Sequence, residues 1–205
     1  MMKRLMMCGG LLLSLAACGG GGGGGGGSGI DPRLARLDVY EAQKLRVLGD
    51  PGAGVMGMPV TTAEDVPVGG AMTFAGSGTM RVETGAEPVV IFGDARLSVD
   101  FDNGDAAGAI ENTFGTNANG DVMDYNGTIA LQSDGPGQNM ALDYQGTLNS
   151  SGRALTFDGT MRGVFLGNPV RALTAGDLEA GIDDNGVMRS GTLIVTMEVE
   201  ETQNP

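Results

Sequence analysis

Tight-turn signals recur along most of this chain at an almost constant interval. They are Ala86 in the segment Gly-Ala-Glu-Pro, and then Asn103-Gly104, Asn119-Gly120, Asp134-Gly135, Ser151-Gly152, Asn168-Pro169 and Asn185-Gly186. The successive separations are 17, 16, 15, 17, 17 and 17 residues. Asn-Gly and Asp-Gly are preferred in two-residue hairpins because the central residues adopt positive φ. Seven such turns predict eight strands, each antiparallel to the strand before it.

Apolar and polar residues alternate between these turns, as in a sheet that buries one face. The apolar parity contains Met72, Phe74, Met80, Val82, Leu97, Val99, Phe101, Ile129, Leu131, Met140, Leu142, Tyr144, Leu148, Leu155, Phe157, Met161, Phe165, Leu178, Ala180, Ile182, Leu193, Val195, Met197 and Val199. Five glycines share that parity, where we expect them to let the strands bend: Gly76, Gly78, Gly146, Gly159 and Gly163. A flat sheet of eight strands would expose long edges, and closure removes them. The fold class is therefore all-β, an eight-stranded antiparallel up-and-down β-barrel over residues 69–200.

The apolar face of this barrel is expected to point inward. Aromatic residues make up only 4% of the chain and tryptophan is absent, so the interfacial girdles of a membrane barrel are missing. The last residues, Glu-Glu-Thr-Gln-Asn-Pro, include no aromatic side chain. We therefore expect the charged residues of the strands to face solvent. After the barrel, residues 201–205 are expected to form a short tail.

The first 17 residues have the pattern of a bacterial export signal. Lys3 and Arg4 precede an apolar run from residue 6 to residue 17, which is shorter than the ~20 residues of a membrane-spanning helix. Leu15-Ala16-Ala17-Cys18 resembles the lipobox of bacterial lipoproteins, in which the cysteine sulfur receives a diacylglycerol. The interpretation is a signal peptide over residues 1–17, and Cys18 as the lipidated first residue of the mature protein.

Residues 18–29 are expected to be a lipid-proximal tether. Gly19 to Gly27, Ser28 and Gly29 offer no side chains to bury, and eleven such residues have a root-mean-square reach of about 18 Å. An Asp directly after the acylated cysteine is the usual signal for retention in the inner membrane, whereas this chain has Gly19. The sequence thus predicts attachment to the outer membrane, and it leaves open which face the domain occupies.

Residues 30–68 predict a short amphipathic helix followed by a connector. Asp31 can cap the helix, Pro32 fits its first position and Gly49 can end it. Four leucines fall on one stripe, interrupted by Glu41: Leu34, Leu37, Leu45 and Leu48. We expect this stripe to pack against the chain's own domain, with a partner-binding helix as the alternative.

One glycine motif in the connector has a familiar spacing but the wrong context. Residues 52 to 57, Gly-Ala-Gly-Val-Met-Gly, fit the G-x-G-x-x-G pattern of dinucleotide sites. That pattern must follow a strand and open a helix, whereas this segment follows the predicted helix and leads to Pro59. We interpret it as a glycine-rich connector and expect no cofactor.

The charge and the absent residue types narrow the chemistry. Removal of residues 1–17 leaves 10 basic and 25 acidic side chains, a net charge of −15 that disfavours nucleic-acid binding. The chain contains no histidine, which excludes Ser-His-Asp triads and His-ligated zinc or haem. Asp100-Phe-Asp-Asn-Gly-Asp105 departs from the calcium-loop spacing, and Asp183-Asp-Asn-Gly186 is similar, so both predict hairpin turns with no metal.

Three segments carry a family resemblance, beside Cys18 and the polyglycine tether: residues 66–76 (Val-Pro-Val-Gly-Gly-Ala-Met-Thr-Phe-Ala-Gly), 97–101 (Leu-Ser-Val-Asp-Phe) and 163–169 (Gly-Val-Phe-Leu-Gly-Asn-Pro). Together these features resemble the transferrin-binding-protein-B-like barrel lipoproteins of Gram-negative bacteria, whose relatives include the factor H binding proteins. The resemblance implies an eight-stranded barrel displayed from the outer membrane. Leu166 stands where an aromatic is usual, and the chain has one barrel where transferrin receptors have two lobes. The resemblance therefore implies neither transferrin recognition nor any numbered binding residue.

Three functions remain open at this point. The first is a non-catalytic surface lipoprotein that binds a protein of unknown identity or a nutrient carrier. The second is a carrier of a small apolar ligand, which would need an interior cavity of at least a few hundred Å³. The third is a structural envelope lipoprotein, or an enzyme that works with paired carboxylates. We take the first as the interpretation, with Cys18 as its one assigned site residue and the oligomeric state left open.

Overall fold

A computed structural model describes residues 31–85, 87–116 and 121–200 of the chain. Its N-terminal part contains helix α1 (Pro32–Leu48), strand β1 (Gly49–Asp50), a 3-10 turn (Pro51–Ala53) and strand β2 (Val55–Met56). The remaining strands are β3 (Ala71–Val82), β4 (Val89–Asp100), β5 (Asp105–Thr116), β6 (Val122–Tyr125), β7 (Ile129–Ser133), β8 (Met140–Ser150), β9 (Arg153–Leu166), β10 (Ala172–Asp184) and β11 (Val187–Val199).

The strands from β3 onward close into an eight-stranded antiparallel barrel, which confirms the predicted fold class. Apart from β6 and β7, each strand pairs with the next along the chain, and β11 pairs with β3 to complete the circle. Strands β6 and β7 together occupy one place in the barrel, because β5 pairs with β6 along its second half and with β7 along its first. The break between them lies at residues 126–128.

Two bulges shift which side chains point inward. In β5, Asn112 and Thr113 lie between the pairs Asp94–Glu111 and Phe92–Phe114, and Asn112 has φ 51°. In β10, the register against β11 shifts between Asp177 and Ala180. A bulge places an extra residue in one strand and so reverses the parity beyond it.

The second bulge corrects the prediction for Leu178. Strict alternation placed this residue inside the barrel, together with Ala180 and Ile182. Ala180 and Ile182 are buried, but Leu178 is 70% exposed because it lies within the bulge. A bulge leaves no signal in an alternating pattern, and Leu178 had the same parity as its buried neighbours.

The barrel interior is filled by the apolar side chains of the alternating pattern. Phe74, Phe157 and Phe165 are buried, and half-buried Phe101 packs at the edge of this core, 5.7 Å from Phe165 between ring centroids. The largest wholly buried side chain is that of Tyr144. The apolar parity therefore faces inward, as predicted, at all positions named for it except Leu178 and the partly buried ends Met72, Phe101 and Val199.

Two glycines of the apolar parity have a more specific role than letting a strand bend. A Cβ atom on Gly76 would lie 2.1 Å from the carbonyl oxygen of Thr196 on the neighbouring strand. A Cβ atom on Gly159 would lie 2.5 Å from the hydroxyl of Tyr144, which is its cross-strand partner. Each position thus needs glycine because a neighbour occupies the space of a side chain.

The described turns coincide with the predicted dipeptides. Ser151-Gly152 and Asn185-Gly186 connect their strands directly, and all four residues have positive φ, as a type I′ hairpin requires. Asn103-Gly104, Asp134-Gly135 and Asn168-Pro169 lie in longer connections, between β4 and β5, β7 and β8, and β9 and β10. Ala86 and Asn119-Gly120 lie outside the described residues.

Helix α1 is present where it was predicted, with the Asp31 cap, Pro32 at the first turn and Gly49 at the end. Its packing face differs from the predicted one. Val47 and Gln43 are buried, whereas Leu45 and Leu48 are exposed and Leu34 and Leu37 are only partly covered. The outer face of the barrel is polar, so α1 turns its hydrogen-bonding side chains toward it and leaves part of the leucine stripe in solvent.

The connector after α1 is attached to the barrel by hydrogen bonds. Strands β1 and β2, of two residues each, form a small hairpin around the 3-10 turn. The glycine motif at residues 52–57 lies in this hairpin, and a strand rather than a helix follows its first glycines. Buried Thr61 donates from its hydroxyl to the carbonyl oxygen of Gly167 at 2.6 Å, and from its N–H to that of Phe165 at 2.9 Å. Within the described part of the chain, no helix has the length and apolar character needed to cross a membrane.

Candidate interaction site

Polar side chains attach the N-terminal half of α1 to the outer face of the barrel. The Tyr40 hydroxyl donates to Oδ1 of Asp94 on β4 at 2.6 Å, and the Arg36 guanidinium donates to the Tyr40 oxygen at 2.7 Å. Arg36 also forms an ion pair with Asp94 at 2.8 Å, and the Asn112 amide donates to Oδ2 of Asp94 at 3.0 Å. Both oxygens of Asp94 are therefore engaged, one by the helix and one by β5.

These contacts shift the pKa values of the groups involved. Partial burial alone would raise the pKa of Asp94, but hydrogen bonds from Tyr40, Asn112 and Arg36 lower it below its ordinary value. Burial raises the pKa of Tyr40, and its hydrogen bond to the Asp94 carboxylate raises it further. Asp94 is thus held ionised and Tyr40 protonated across the neutral pH range.

An outward-facing aromatic pair lies under Arg36. The β5 bulge turns Phe114 away from the barrel core, where its ring lies 6.0 Å from that of Phe92 on β4. The Arg36 guanidinium carbon is 4.9 Å from the centroid of Phe114, within cation–π range. Phe114 is almost wholly buried. The apolar stem and the charged head of Arg36 thus both contribute to holding the helix.

The start of α1 is fixed by a second arginine. Arg33 donates to both carboxylate oxygens of Asp31, at 2.9 Å and 2.6 Å, and also binds Asp124 on β6. The hydrogen bonds from Arg33 lower the pKa of Asp31 to about 2. The point at which the predicted tether joins the domain is therefore attached to the barrel wall.

A depression of about 590 Å³ adjoins this attachment. It lies where the hydrogen-bond ladder is interrupted by the bulge in β5 and by the break between β6 and β7. Asn112 and Gly127 have φ values of 51° and 142°, and the chain between β6 and β7 is irregular at residues 126–128. Bulges and unusual φ values concentrate at functional sites. We name this the seam site, and its polar side chains are Arg36, Glu111, Asn112, Asp124 and Asn126.

Two other depressions lie nearby. One of about 640 Å³ runs along the outer face of β3, β4 and β5; it shares Glu111 and Asn112 with the seam site and has a floor of small residues such as Ala107 and Gly108. Another, of about 740 Å³, lies at the barrel mouth beside Tyr125 and Arg153. Arg153 is held there by a two-point contact with Asp184, both bonds 2.8 Å long. The barrel centre itself is occupied by core side chains.

Two aspartates that the sequence singled out, Asp100 and Asp183, accept hydrogen bonds within their own turns. Asp100 accepts hydrogen bonds from the N–H groups of Asp102 and Asn103 and from the Asn103 amide, so its oxygens serve the β4–β5 turn. Asp183 similarly accepts from the N–H of Gly186. Among the described residues, no cluster of three or more His, Cys, Asp or Glu side chains could hold a metal ion.

The residues of the seam site were not predicted from the sequence, and the predicted site residue lies elsewhere. Cys18 falls outside the described residues, so its lipidation stays a prediction. Arg36 and Tyr40 stand four residues apart, which is the spacing of neighbours on one helix face and the one signal that could have pointed to this face. The positive φ of Asn112 follows from the bulge and has no counterpart in the turn pattern.

This chain matches no protein-family model and no curated protein. It is similar to a solved structure, a mutant of the vaccine antigen Transferrin Binding Protein B from Haemophilus parasuis Hp5, with a TM-score of 0.45 and 12% sequence identity. The similarity covers 69% of this chain and 29% of that protein, so the chain spans less than a third of its length.

Proposed function

We propose that this chain is a non-catalytic lipoprotein of the outer membrane, attached through Cys18, that binds a macromolecular partner with the outer face of its barrel. The observation that carries this proposal is the division between a filled interior and an irregular, polar outer wall. The interior holds packed side chains, including Tyr144, Phe157 and Phe165, where a carried ligand would have to lie. The seam site opens outward and offers charged and amide groups of both hydrogen-bonding types.

The charge distribution supports a basic partner. Residues 69–200 contain 18 acidic and 6 basic side chains, a net charge of −12, whereas residues 31–68 contain 6 acidic and 4 basic side chains, a net charge of −2. An acidic wall attracts a cationic surface and increases the rate of association. Such binding should weaken as salt rises past ~0.15 M, where the screening length is about 8 Å.

The partner can be sought with two variants, each of which reverses one surface charge at a different place on the barrel. We would immobilise the lipid-free chain of residues 30–205 and compare Glu111→Lys, at the seam site, with Glu179→Lys, an exposed carboxylate on β10. Both substitutions change the net charge equally. A protein retained by the unmodified chain and by Glu179→Lys, but lost from Glu111→Lys, would support the seam site.

Three results would contradict parts of this proposal. Equal loss on both variants would mean that overall charge, and not the seam site, determines binding. Retention of no protein at low salt would favour the structural envelope role that the sequence left open. Saturable turnover of a substrate, abolished by replacing one carboxylate, would overturn the non-catalytic part of the proposal.

Attachment is tested separately through Cys18. Because thioether acylation requires its sulfur, Cys18→Ser should abolish lipid labelling and leave the precursor unprocessed or the domain released. The measurement is detergent-phase partitioning together with the mass of the mature N-terminus. Unchanged partitioning of the Cys18→Ser variant would remove the lipoprotein assignment.

A further inference from the structure

Four exposed apolar side chains belong to the C-terminal turn of α1 and to the hairpin that follows it. Leu45 and Leu48 are 41% and 38% exposed, and Val55 and Met56 are 42% and 90% exposed. Leu45 and Leu48 stand three residues apart on the helix, and the β1–β2 pairing places Met56 opposite Gly49 and Val55 opposite Asp50. The four side chains thus belong to the last turn of α1 and the hairpin that follows it, and we name them the apolar patch.

The contacts of this end of the helix leave the apolar patch uncovered. Val47, between Leu45 and Leu48 in sequence, packs with Leu166 and Ala172 on the barrel wall. The N–H of Met58 donates to the carbonyl oxygen of Val47 at 2.9 Å and fixes the hairpin to the helix. Of the ten exposed large apolar side chains among the described residues, seven lie between residues 39 and 68. Exposure of this kind is concentrated in the segment nearest to Cys18 in sequence.

The predicted tether is long enough to bring this patch to the bilayer that holds the lipid. Thirteen residue steps separate Cys18 from Asp31 and extend to at most about 45 Å. Helix α1 has 17 residues and is therefore about 25 Å long. The patch lies one helix length from the point where the tether joins the domain. Cys18 and the patch can therefore contact the same membrane surface.

Charge and area favour a bilayer over a second copy of the chain. The helix and connector have a net charge of −2 and the barrel one of −12, so anionic headgroups repel this part of the domain least. Four partly exposed side chains also offer much less area than the ~800 Å² per partner of a stable protein interface. Leucines that project from a surface helix insert at the headgroup boundary, and Val55 and Met56 of the adjoining hairpin add apolar area beside them.

From these observations we propose that the apolar patch rests on the phospholipid surface to which Cys18 is attached and so sets the orientation of the barrel. This inference rests on the proposed lipid attachment. The patch lies at the end of the barrel where β9 ends and β10 begins, and the β10–β11 turn lies at the other end. Contact through the patch would point the β10–β11 turn away from the membrane.

A pair of single-cysteine variants tests this orientation. Acylation of Cys18 and removal of Cys8 would leave the mature protein without a free thiol, so an introduced cysteine can be labelled alone. Met56→Cys places an environment-sensitive fluorophore in the patch, and Met188→Cys places the same fluorophore on an exposed methionine at the β10–β11 end, 67% exposed. The full lipidated chain is reconstituted in vesicles of phosphatidylethanolamine and phosphatidylglycerol that contain a nitroxide-labelled lipid as quencher.

The Met56 label should be quenched several-fold more strongly than the Met188 label. Adding Leu48→Glu to the Met56→Cys variant should reduce that quenching toward the Met188 value, because a carboxylate cannot enter the headgroup boundary without cost. Equal quenching at the two positions would overturn the proposal. Label-to-label energy transfer between chains, rising with protein density while lipid quenching stays low, would assign the patch to a second copy and also overturn it.

The attachment and the orientation can fail independently. The mass of the purified protein reports the acyl group before any quenching is measured, so an unmodified Cys18 contradicts the proposed function by itself. In that case Cys8→Ser and Cys18→Ser are added so that the Met56→Cys thiol is again the one that is labelled, and this unacylated chain is mixed with the same vesicles. Quenching there would still support the patch, and its absence would overturn the inference.

Discussion

The barrel and helix α1 are held in place by different kinds of contact. In the barrel, continuous ladders join neighbouring strands, such as the eleven-pair ladder from Met140–Gly163 to Ser150–Arg153, and apolar side chains fill the centre. The helix contacts the barrel with polar side chains and with one wholly buried apolar side chain, Val47; the polar ones are Arg33, Arg36, Tyr40, Gln43 and Arg46. The barrel is therefore stabilised mainly by burial, and the docking of the helix mainly by hydrogen bonds and ion pairs.

This difference explains why a hydrophobic pattern located the inner face of the barrel and misplaced the inner face of the helix. The interior of this barrel is filled by side chains, so the apolar parity of its strands is the buried one. The outer wall of the barrel presents Asp94, the Ala75 carbonyl and Glu198, which select polar partners from the helix. A helix on such a wall is positioned by donors and acceptors, and its most apolar stripe need not be its buried one.

The largest expected effect tests the barrel side of the comparison. Replacing Phe157 with Ala removes a wholly buried ring from the core and should lower the free energy of unfolding by ~3–5 kcal/mol. Denaturant unfolding followed by circular dichroism measures the change. Leu178→Ala is the control, since this residue was assigned to the same face but is exposed in the bulge, and it should change the free energy by less than about 0.5 kcal/mol.

A smaller effect is expected when the helix contacts are cut. Asp94→Ala removes the acceptor shared by Tyr40, Arg36 and Asn112, and should weaken docking of α1 by about 1–2 kcal/mol because the carboxylate is half exposed. Hydrogen exchange should show roughly tenfold faster opening of the α1 amides. Amides of β9 and β10 should keep their protection. Equal acceleration in both regions would mean that the helix and barrel unfold as one unit.

Acidification should also weaken the docking of α1 more than it weakens the barrel. The pKa of Asp94 is lowered in the docked state, so protons bind preferentially when the helix is undocked. The contribution of Asp94 to docking is complete above its ordinary pKa of about 3.9 and is lost as pH falls through the lowered value. Exchange of α1 amides, corrected for intrinsic rates, should accelerate across that window in the unmodified chain. The pH dependence should be smaller in Asp94→Asn, and the part that remains belongs to Asp31, the other carboxylate at α1 whose pKa is lowered.

The smallest effect is expected on the exposed leucines. Leu45→Ser should change the free energy of unfolding by less than about 0.5 kcal/mol, because the side chain keeps much of its exposure in the folded domain. Val47→Ser, two residues later, should cost several times more, since it leaves a hydroxyl buried against Leu166 and Ala172. Thermal unfolding of the two variants measures the contrast. A reversed order would restore the leucine stripe as the packed face.

The barrel could be predicted from the sequence because its rules are local and repeated. Asn185-Gly186 requires two positive φ values in succession, and alternation such as Leu193, Val195 and Met197 places a whole strand face inside. The capping residues Asp31 and Pro32 fixed the start of α1 for the same reason. Each of these signals is read within a few residues of the feature it predicts.

The candidate site depends on relations that no local signal contains. Asn112 adopts φ 51° because β5 has one residue more than β4 between two pairs, which is a property of two strands together. Asp94 and Tyr40 are 54 residues apart in sequence, and nothing in the alternation of β4 distinguishes Asp94 from its solvent-facing neighbours. The seam site therefore becomes visible only when helix, bulge and strand break are in place together.

The pairing of β3 with β11 has a consequence for the order in which this fold can be completed. The first strand of the barrel begins at Ala71, and the last, which ends at Val199, lies directly beside it. During synthesis from the N-terminus, the free edge of β3 therefore stays unpaired until β11, the most distant strand of the sheet, has been made. Because contacts between segments remote in sequence cost the most chain entropy, this ladder should be the slowest to form. A chain that lost β11 alone would have two unpaired edges, on β3 and β10, and so would be open to association with other strands.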